Sequence, residues 1–195
     1  GGDLTRTLEL ELIRKDGRHI WGEVHAALLR DPSRGRPTVI IGICRDISER
    51  KEAARTRRRL AAIVEHSPDA IIGKDLEGIV TSWNRGAEEI YGYRAEEMIG
   101  SSIKILEPPQ RKGEVETIIS RIRRGETIQG YETLRRRKDG CLISVSLTAS
   151  PIRDISGRIV ASSIIVRDIT RLKTIQLERR QQLIFLQTLL NTIPN

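Results

Sequence analysis

Aromatic residues are scarce in this chain: Phe, Trp and Tyr together make up 3% of its 195 residues. Cysteine is scarcer still. Cys44 and Cys141 stand alone, without the C-x-x-C or Cys/His spacing of a zinc site and without the density of a disulfide framework. No apolar run approaches the roughly 18 residues a membrane span needs, and no secretory leader pattern is visible. These absences argue for a reduced, cytoplasmic setting with no membrane contact by this segment, while the parent protein is free to be anchored beyond it. Histidine occurs only as His19, His25 and His66, none on a helix where a kinase phosphoacceptor would sit. No glycine-rich loop opens a helix and no paired-carboxylate cleft is legible. No enzyme is therefore expected within these residues.

Positive charge is in excess, +8 overall, with much of it in Arg50-Lys51 through Arg55, Arg57, Arg58 and Arg59. A nucleic-acid face combines basic residues with stacking aromatics or a docking motif, and neither accompanies this run. It reads as the solvated face of a helical linker, with no nucleic-acid partner.

What the chain does have is repetition. Arg14-Lys15-Asp16-Gly17 is followed by a strand-like stretch ending in Arg45-Asp46-Ile47-Ser48, and Arg137-Lys138-Asp139-Gly140 by one ending in Arg167-Asp168-Ile169-Thr170. Gly17 to Arg45 is 28 positions and Gly140 to Arg167 is 27, a difference of one insertion. A fainter echo relates Leu60…His66-Ser67-Pro68-Asp69 to Leu186…Thr192-Ile193-Pro194-Asn195. Such self-similarity marks tandem copies of one folding unit. The expected organisation is the C-terminal half of a first unit at 1–47 and a helical linker at 48–66. A complete core follows at 67–168, and an outgoing helix at 169–195 leads into a third unit.

Within the complete unit, Ala70–Lys74 and Ile79–Trp83 read as a hairpin around Asp75-Leu76-Glu77-Gly78. Asn84 is suited to cap a short helix that Gly92 ends, and Arg94–Ile99 is a further helical turn. Val115, Ile118, Ile119 and Ile122 fall at i, i+3, i+4 and i+7, the apolar stripe of an amphipathic helix. Three strands follow, near Gly130–Arg136, Cys141–Ile152 and Ile159–Val166. Two strands, a cluster of short helices and three strands imply an α+β fold, a five-stranded antiparallel sheet with helices on one face. In residues 1–47, Leu8, Leu10 and Leu12 alternate with Glu9 and Glu11 as a half-buried strand. Ile20–Leu29 and Thr38–Cys44 add two more. Three strands without covering helices would expose an apolar face, so that face is expected to be covered by upstream sequence or another chain.

The order hairpin, Trp83-Asn84-x-x-Ala87-Glu88-x-Ile90-x-Gly92-Tyr93, Glu96-Glu97-x-Ile99-Gly100, Lys138-Asp139-Gly140 and Asp168-Ile169-Thr170 resembles a PAS sensory domain. The resemblance covers roughly residues 55–172 fully and 1–50 by half. It implies a ligand-sensing or partner-docking module of a prokaryotic signalling protein, either a sensor histidine kinase or a cyclic-dinucleotide enzyme, with adjacent PAS units and a downstream effector domain as neighbours. The alternative is a ligand-free dimerisation and spacer unit.

Cofactors can be weighed residue by residue. Haem-based oxygen sensors of this family are similar along Ile119-Ser120-Arg121, but their iron-ligating histidine falls on Val115 and their distal arginine near Tyr131. Valine offers iron no lone pair, so haem is not expected. The photoactive flavin motif falls on Gly100–Glu107 and puts Ile103 where the adduct-forming cysteine would be. A redox flavin needs only an aromatic-lined pocket, and Trp83 leaves room for one, though it equally fills core volume. The opening Gly1-Gly2-Asp3-Leu4 resembles a diguanylate cyclase motif without its Glu-Phe continuation, and reads as a loop.

The expected pocket residues are Trp83, Ile90, Met98, Ile103, Val115, Ile118, Ile119 and Ile122, which line a cavity for a small molecule or fill a solid core. Asp46, Asp168 and Thr170 sit where a last strand passes into an outgoing helix, and the resemblance implies a signal-relay role for them. Leu183, Leu186, Leu190 and Ile193 repeat at heptad spacing, which points to a homodimer through the linker helices.

Overall fold

A computed structural model describes residues 5–30 and 37–192 of the chain. Gly1-Gly2-Asp3-Leu4 and Ile193 lie outside the described residues, as does the side chain of Leu190. The chain divides into two compact units, residues 1–62 and 63–195.

The first unit is a three-stranded antiparallel meander of β1 (Thr5–Ile13), β2 (His19–Arg30) and β3 (Pro37–Asp46). Its register sets Leu8, Leu10 and Leu12 opposite Val24, Gly22 and Ile20. Cross-strand partners share a face, so these residues form one apolar surface. Leu8 is 47% and Leu10 42% exposed, as befits a sheet face without helices over it. The opposite face carries Glu9, Trp21 and Glu23 and meets the start of α1 (Ser48–Glu65). There Lys51 lies 3.9 Å from the Trp21 ring centroid, and Arg50 and Lys51 reach Glu9 at 2.9 and 2.6 Å. The head of the basic run is thus spent on this unit's own sheet, and the rest of α1 buries no residue.

The second unit holds a five-stranded antiparallel sheet in the order β5-β4-β8-β7-β6. The strands are β4 (Ala70–Lys74), β5 (Val80–Trp83), β6 (Ile128–Arg136), β7 (Leu142–Arg153) and β8 (Ile159–Asp168). The helical layer between β5 and β6 comprises α2 (Arg85–Tyr91), α3 (Ala95–Met98), two short 3-10 turns and α4 (Glu114–Arg123). Each piece forms for a local reason. The Asp75 carboxylate accepts the Glu77 and Ile79 N–H groups and closes the β4–β5 hairpin. Asn84 caps α2 through Ala87 N at 3.0 Å and also accepts from Ile71 N, while its amide donates to Val64 O and Asp69 O. All the strong bonding positions of that buried amide are used, and it pins β4, α1 and α2 together. Gly86 must lack a side chain, because a Cβ there would stand 2.4 Å from Asp69 O and 2.5 Å from Ser67 O. Gly92 ends α2 in the left-handed region at φ 78°.

The core lies between the sheet and this layer. Val115, Ile118, Ile119 and Ile122 are all buried, so the helical period of α4 points its stripe at the sheet. The outgoing helix α5 (Thr170–Thr192) is exposed at every residue from 171 to 187. Among the described residues no helix is long and apolar enough to cross a membrane.

Candidate functional site

A cavity of about 30 Å³ lies inside the second unit. Its wall is mostly apolar, with Ile72, Leu147, Ile164 and Val166 from the sheet and Ile103, Leu106, Val115 and Ile118 from the helical layer. Three polar residues interrupt it: Lys74 at the end of β4, Tyr91 at the end of α2 and Arg135 of β6.

Their electrostatics differ. Arg135 is answered, since its Nη1 lies 2.7 Å from Glu114 Oε1 and also donates to Leu134 O. The Glu114 carboxylate further accepts from the Thr133 hydroxyl at 2.9 Å and from the Tyr131 hydroxyl at 3.3 Å. Lys74 is not answered. It is 1% exposed, and its ammonium has no hydrogen bond or ion pair among the described residues. Burial, helped by the nearby Arg135 charge and opposed by Asp75, pulls its pKa down to about 8. Tyr91 is also 1% exposed, and burial raises its phenol well above the usual range. Its hydroxyl likewise has no partner among the described residues. The wall thus carries two positive groups, and the carboxylate that answers Arg135 is not among its lining residues.

The strands forming the wall run directly into the exit of the unit. Val166 lies two residues before Asp168 in β8, and Leu147 three residues after Ser144 in β7. At the junction the Asp168 carboxylate accepts from Thr170 N at 2.8 Å, and the Thr170 hydroxyl accepts from Ser144 N at 3.0 Å. Ile169 N donates to Ser144 O at 2.9 Å, so β7 is gripped on both sides of one peptide position. The first unit repeats the arrangement. Asp46 accepts from Ser48 N at 2.9 Å, the Ser48 hydroxyl from Trp21 N at 2.9 Å, and Ile47 N donates to Trp21 O at 2.8 Å. Lys173 pairs with Glu132 as Lys51 does with Glu9. In both copies the aspartate accepts only the first helical N–H; the capping position itself is the isoleucine, whose carbonyl takes the first helical bond from Lys173 or Lys51. The copies differ at Arg14, which bonds Asp46 at 3.0 Å, whereas its counterpart Arg137 turns to Asp139 at 3.6 Å.

Family models match this organisation over both units, PAS fold at residues 58–169 and PAS domain at residues 3–49. The chain belongs to the PAS family. The sensor protein FixL of Bradyrhizobium diazoefficiens is 36% identical over 107 residues, which are 53% of this chain and 21% of that protein. The signal transduction histidine-protein kinase AtoS of Escherichia coli is 27% identical over 135 residues, 69% of this chain and 22% of that protein. The chain thus spans about a fifth of the length of these two relatives. A solved PAS domain from Colwellia psychrerythraea superposes with a TM-score of 0.55 at 29% identity, covering 60% of this chain and 98% of that one. The PAS region here is homologous to parts of a sensor protein and of a signal transduction histidine-protein kinase.

The complete PAS unit places the expected pocket residues in two groups. Ile103, Val115 and Ile118 stand on the cavity wall. Trp83, Ile90, Met98, Ile119 and Ile122 are buried in the core but form no part of that wall. Trp83 packs its ring 5.5 Å from that of Tyr91 and donates Nε1 to Tyr93 O, so it braces the helical layer. Leu183 and Leu186 are exposed on α5. Cys44 and Cys141 are exposed and unlinked. Sequence reasoning passed over Lys74, Tyr91 and Arg135. The signal for Lys74 was there, because strand alternation puts it on the same face as Ala70 and Ile72.

Proposed function

We propose that the chain is a sensory and relay region of a prokaryotic signalling protein. In this reading the complete PAS unit responds to a small ligand in its internal cavity and passes the response through Asp168 and Thr170 into α5, toward an effector domain. The observation that carries it is continuity: the strands bearing Val166 and Leu147 on the cavity wall are those fastened to the outgoing helix at Asp168 and Ser144. A histidine kinase is the favoured output, because FixL and AtoS are a sensor protein and a histidine kinase by name. No catalytic role is proposed for these residues, and the protein is taken to work as a homodimer through its linker helices.

No resident haem or adduct-forming flavin is part of the proposal. Val115 and Ile103 present only hydrocarbon to the cavity, and about 30 Å³ is far below the roughly 300–1,000 Å³ of ordinary cofactor pockets. The same small volume favours the second reading, a ligand-free spacer. Asp168→Ala and Thr170→Val in the full protein separate the two. Loss of stimulus-dependent output with basal output retained supports the relay, and regulation that survives both substitutions supports the spacer.

A further inference from the structure

The unanswered charge of Lys74 indicates what the cavity takes. Ala70, Ile72 and Lys74 are alternate residues of β4 and all are buried, so the strand itself holds the lysine on the inner face. Glu114 already neutralises Arg135 at 2.7 Å, which leaves one net positive charge at the cavity. The Tyr91 hydroxyl, a second donor without a partner among the described residues, lines the same space. An unpaired ammonium in an apolar chamber that an unpaired phenol also lines is an expensive arrangement for a fold to keep, and a bound anion removes the expense.

We propose that the cavity binds a small monocarboxylate, its carboxylate held by Lys74 Nζ and the Tyr91 hydroxyl and its short alkyl end against Ile103, Val115 and Ile118. This rests on the reading of the complete unit as a ligand sensor and names the class of ligand. Charge sets the valence, since a dicarboxylate would bring a second negative charge with no free cation among the described residues of the wall to meet it. Volume sets the length. About 30 Å³ is roughly two water-sized positions, so even acetate or propionate enters only if the hydrocarbon wall gives way slightly, and a fatty acid is excluded. The hydrocarbon of the remaining wall selects an alkyl carboxylate over an inorganic anion of equal charge.

The test is an NMR titration of the whole 195-residue chain at pH 7 and constant ionic strength, following the methyl groups of Ile103, Val115 and Ile118. Sodium acetate and sodium propionate should give saturable shifts, and sodium octanoate none. Lys74→Met, which removes the charge and keeps the length of the chain, should weaken propionate by about tenfold or more. Tyr91→Phe, which removes only the hydroxyl, should weaken it less. Absence of a saturable shift in the unmodified chain overturns the inference, as does undiminished binding by Lys74→Met. Nitrate binding as tightly as propionate overturns the carboxylate assignment. A protein that binds neither carboxylate yet loses regulation with Asp168→Ala refutes this inference and leaves the sensory reading standing. Carboxylate binding with regulation intact in that variant does the reverse.

Discussion

The Thr170 hydroxyl accepts a 3.0 Å hydrogen bond from the backbone N–H of Ser144, joining the first residue of α5 to strand β7. Ser48 does the same for Trp21 at 2.9 Å in the first unit, so the bond belongs to the repeated design of the exit. Thr170→Val keeps the shape of the side chain but leaves a half-buried N–H without its acceptor, an expected loss of about 1–3 kcal/mol. Asp168→Ala removes an acceptor at an exposed position, an expected loss of about 1 kcal/mol. Urea unfolding of the two variants checks the order. A Thr170→Val protein as stable as the parent would show that the bond holds nothing.

Lys74 gives a pH-dependent stability of defined sign. Its pKa is about 8 in the folded chain against an ordinary 10.5, so between those values the unfolded chain holds more protons and folding strengthens as pH rises. The penalty is therefore complete below pH 8, shrinks through the window and is gone above it. Its size is on the order of 3 kcal/mol. Lys74→Met is expected to be more stable than the unmodified chain at pH 7 by about 1–3 kcal/mol. That advantage should decline between pH 8 and 10.5. A difference that stays constant across the window would mean that the lysine is solvated.

The ion pair of Glu114 with Arg135 is almost fully enclosed, with side-chain exposures of 11% and 6%. Removing one partner strands the other charge, so Glu114→Gln is expected to lower stability by about 3 kcal/mol or more. The double variant Glu114→Gln/Arg135→Met should recover most of that loss, because no charge is left unpaired. Denaturant unfolding of both proteins decides it. A single variant losing less than about 1 kcal/mol would place the pair in solvent.

Much of the fold was legible because its signals are local. The Asp-Gly turns recur at fixed spacing, the stripe of α4 has helical period, and Asn84 stands where a cap is needed. The junction was legible for the same reason, its Asp-Ile-Ser and Asp-Ile-Thr triplets being contiguous. The cavity was legible only at Ile103, Val115 and Ile118. Its polar wall was not, because a lysine closing a short strand reads as a solvated residue until the face it occupies is known. Nor was the pairing of Glu114 with Arg135, since 21 residues and the packing of α4 on β6 separate them. Trp83 illustrates the converse. Its size marked it for the pocket, yet the carbonyl of Tyr93 and the ring of Tyr91 hold it in the helical layer.

Helix α5 leaves Leu172, Leu183 and Leu186 exposed at 53%, 55% and 54%. A helix so apolar and so exposed is expected to pair with its copy, through Leu183 and Leu186 first. Light scattering should give the mass of a dimer for the whole chain and of a monomer for a chain ending at Lys173. An unchanged dimer in the shortened chain would move the interface elsewhere.

The central claim is that the cavity and the outgoing helix are mechanically joined. Amide hydrogen exchange on the 195-residue chain, unmodified and as Lys74→Met, measures this most directly. The account predicts that changing the charge inside the cavity alters exchange at the Ile169 and Ser144 amides, whose bonds hold β7 to the start of α5, and at the Lys173 amide, which makes the first bond of that helix. Altered exchange confined to β4 and β6, with those three amides unchanged, would contradict it.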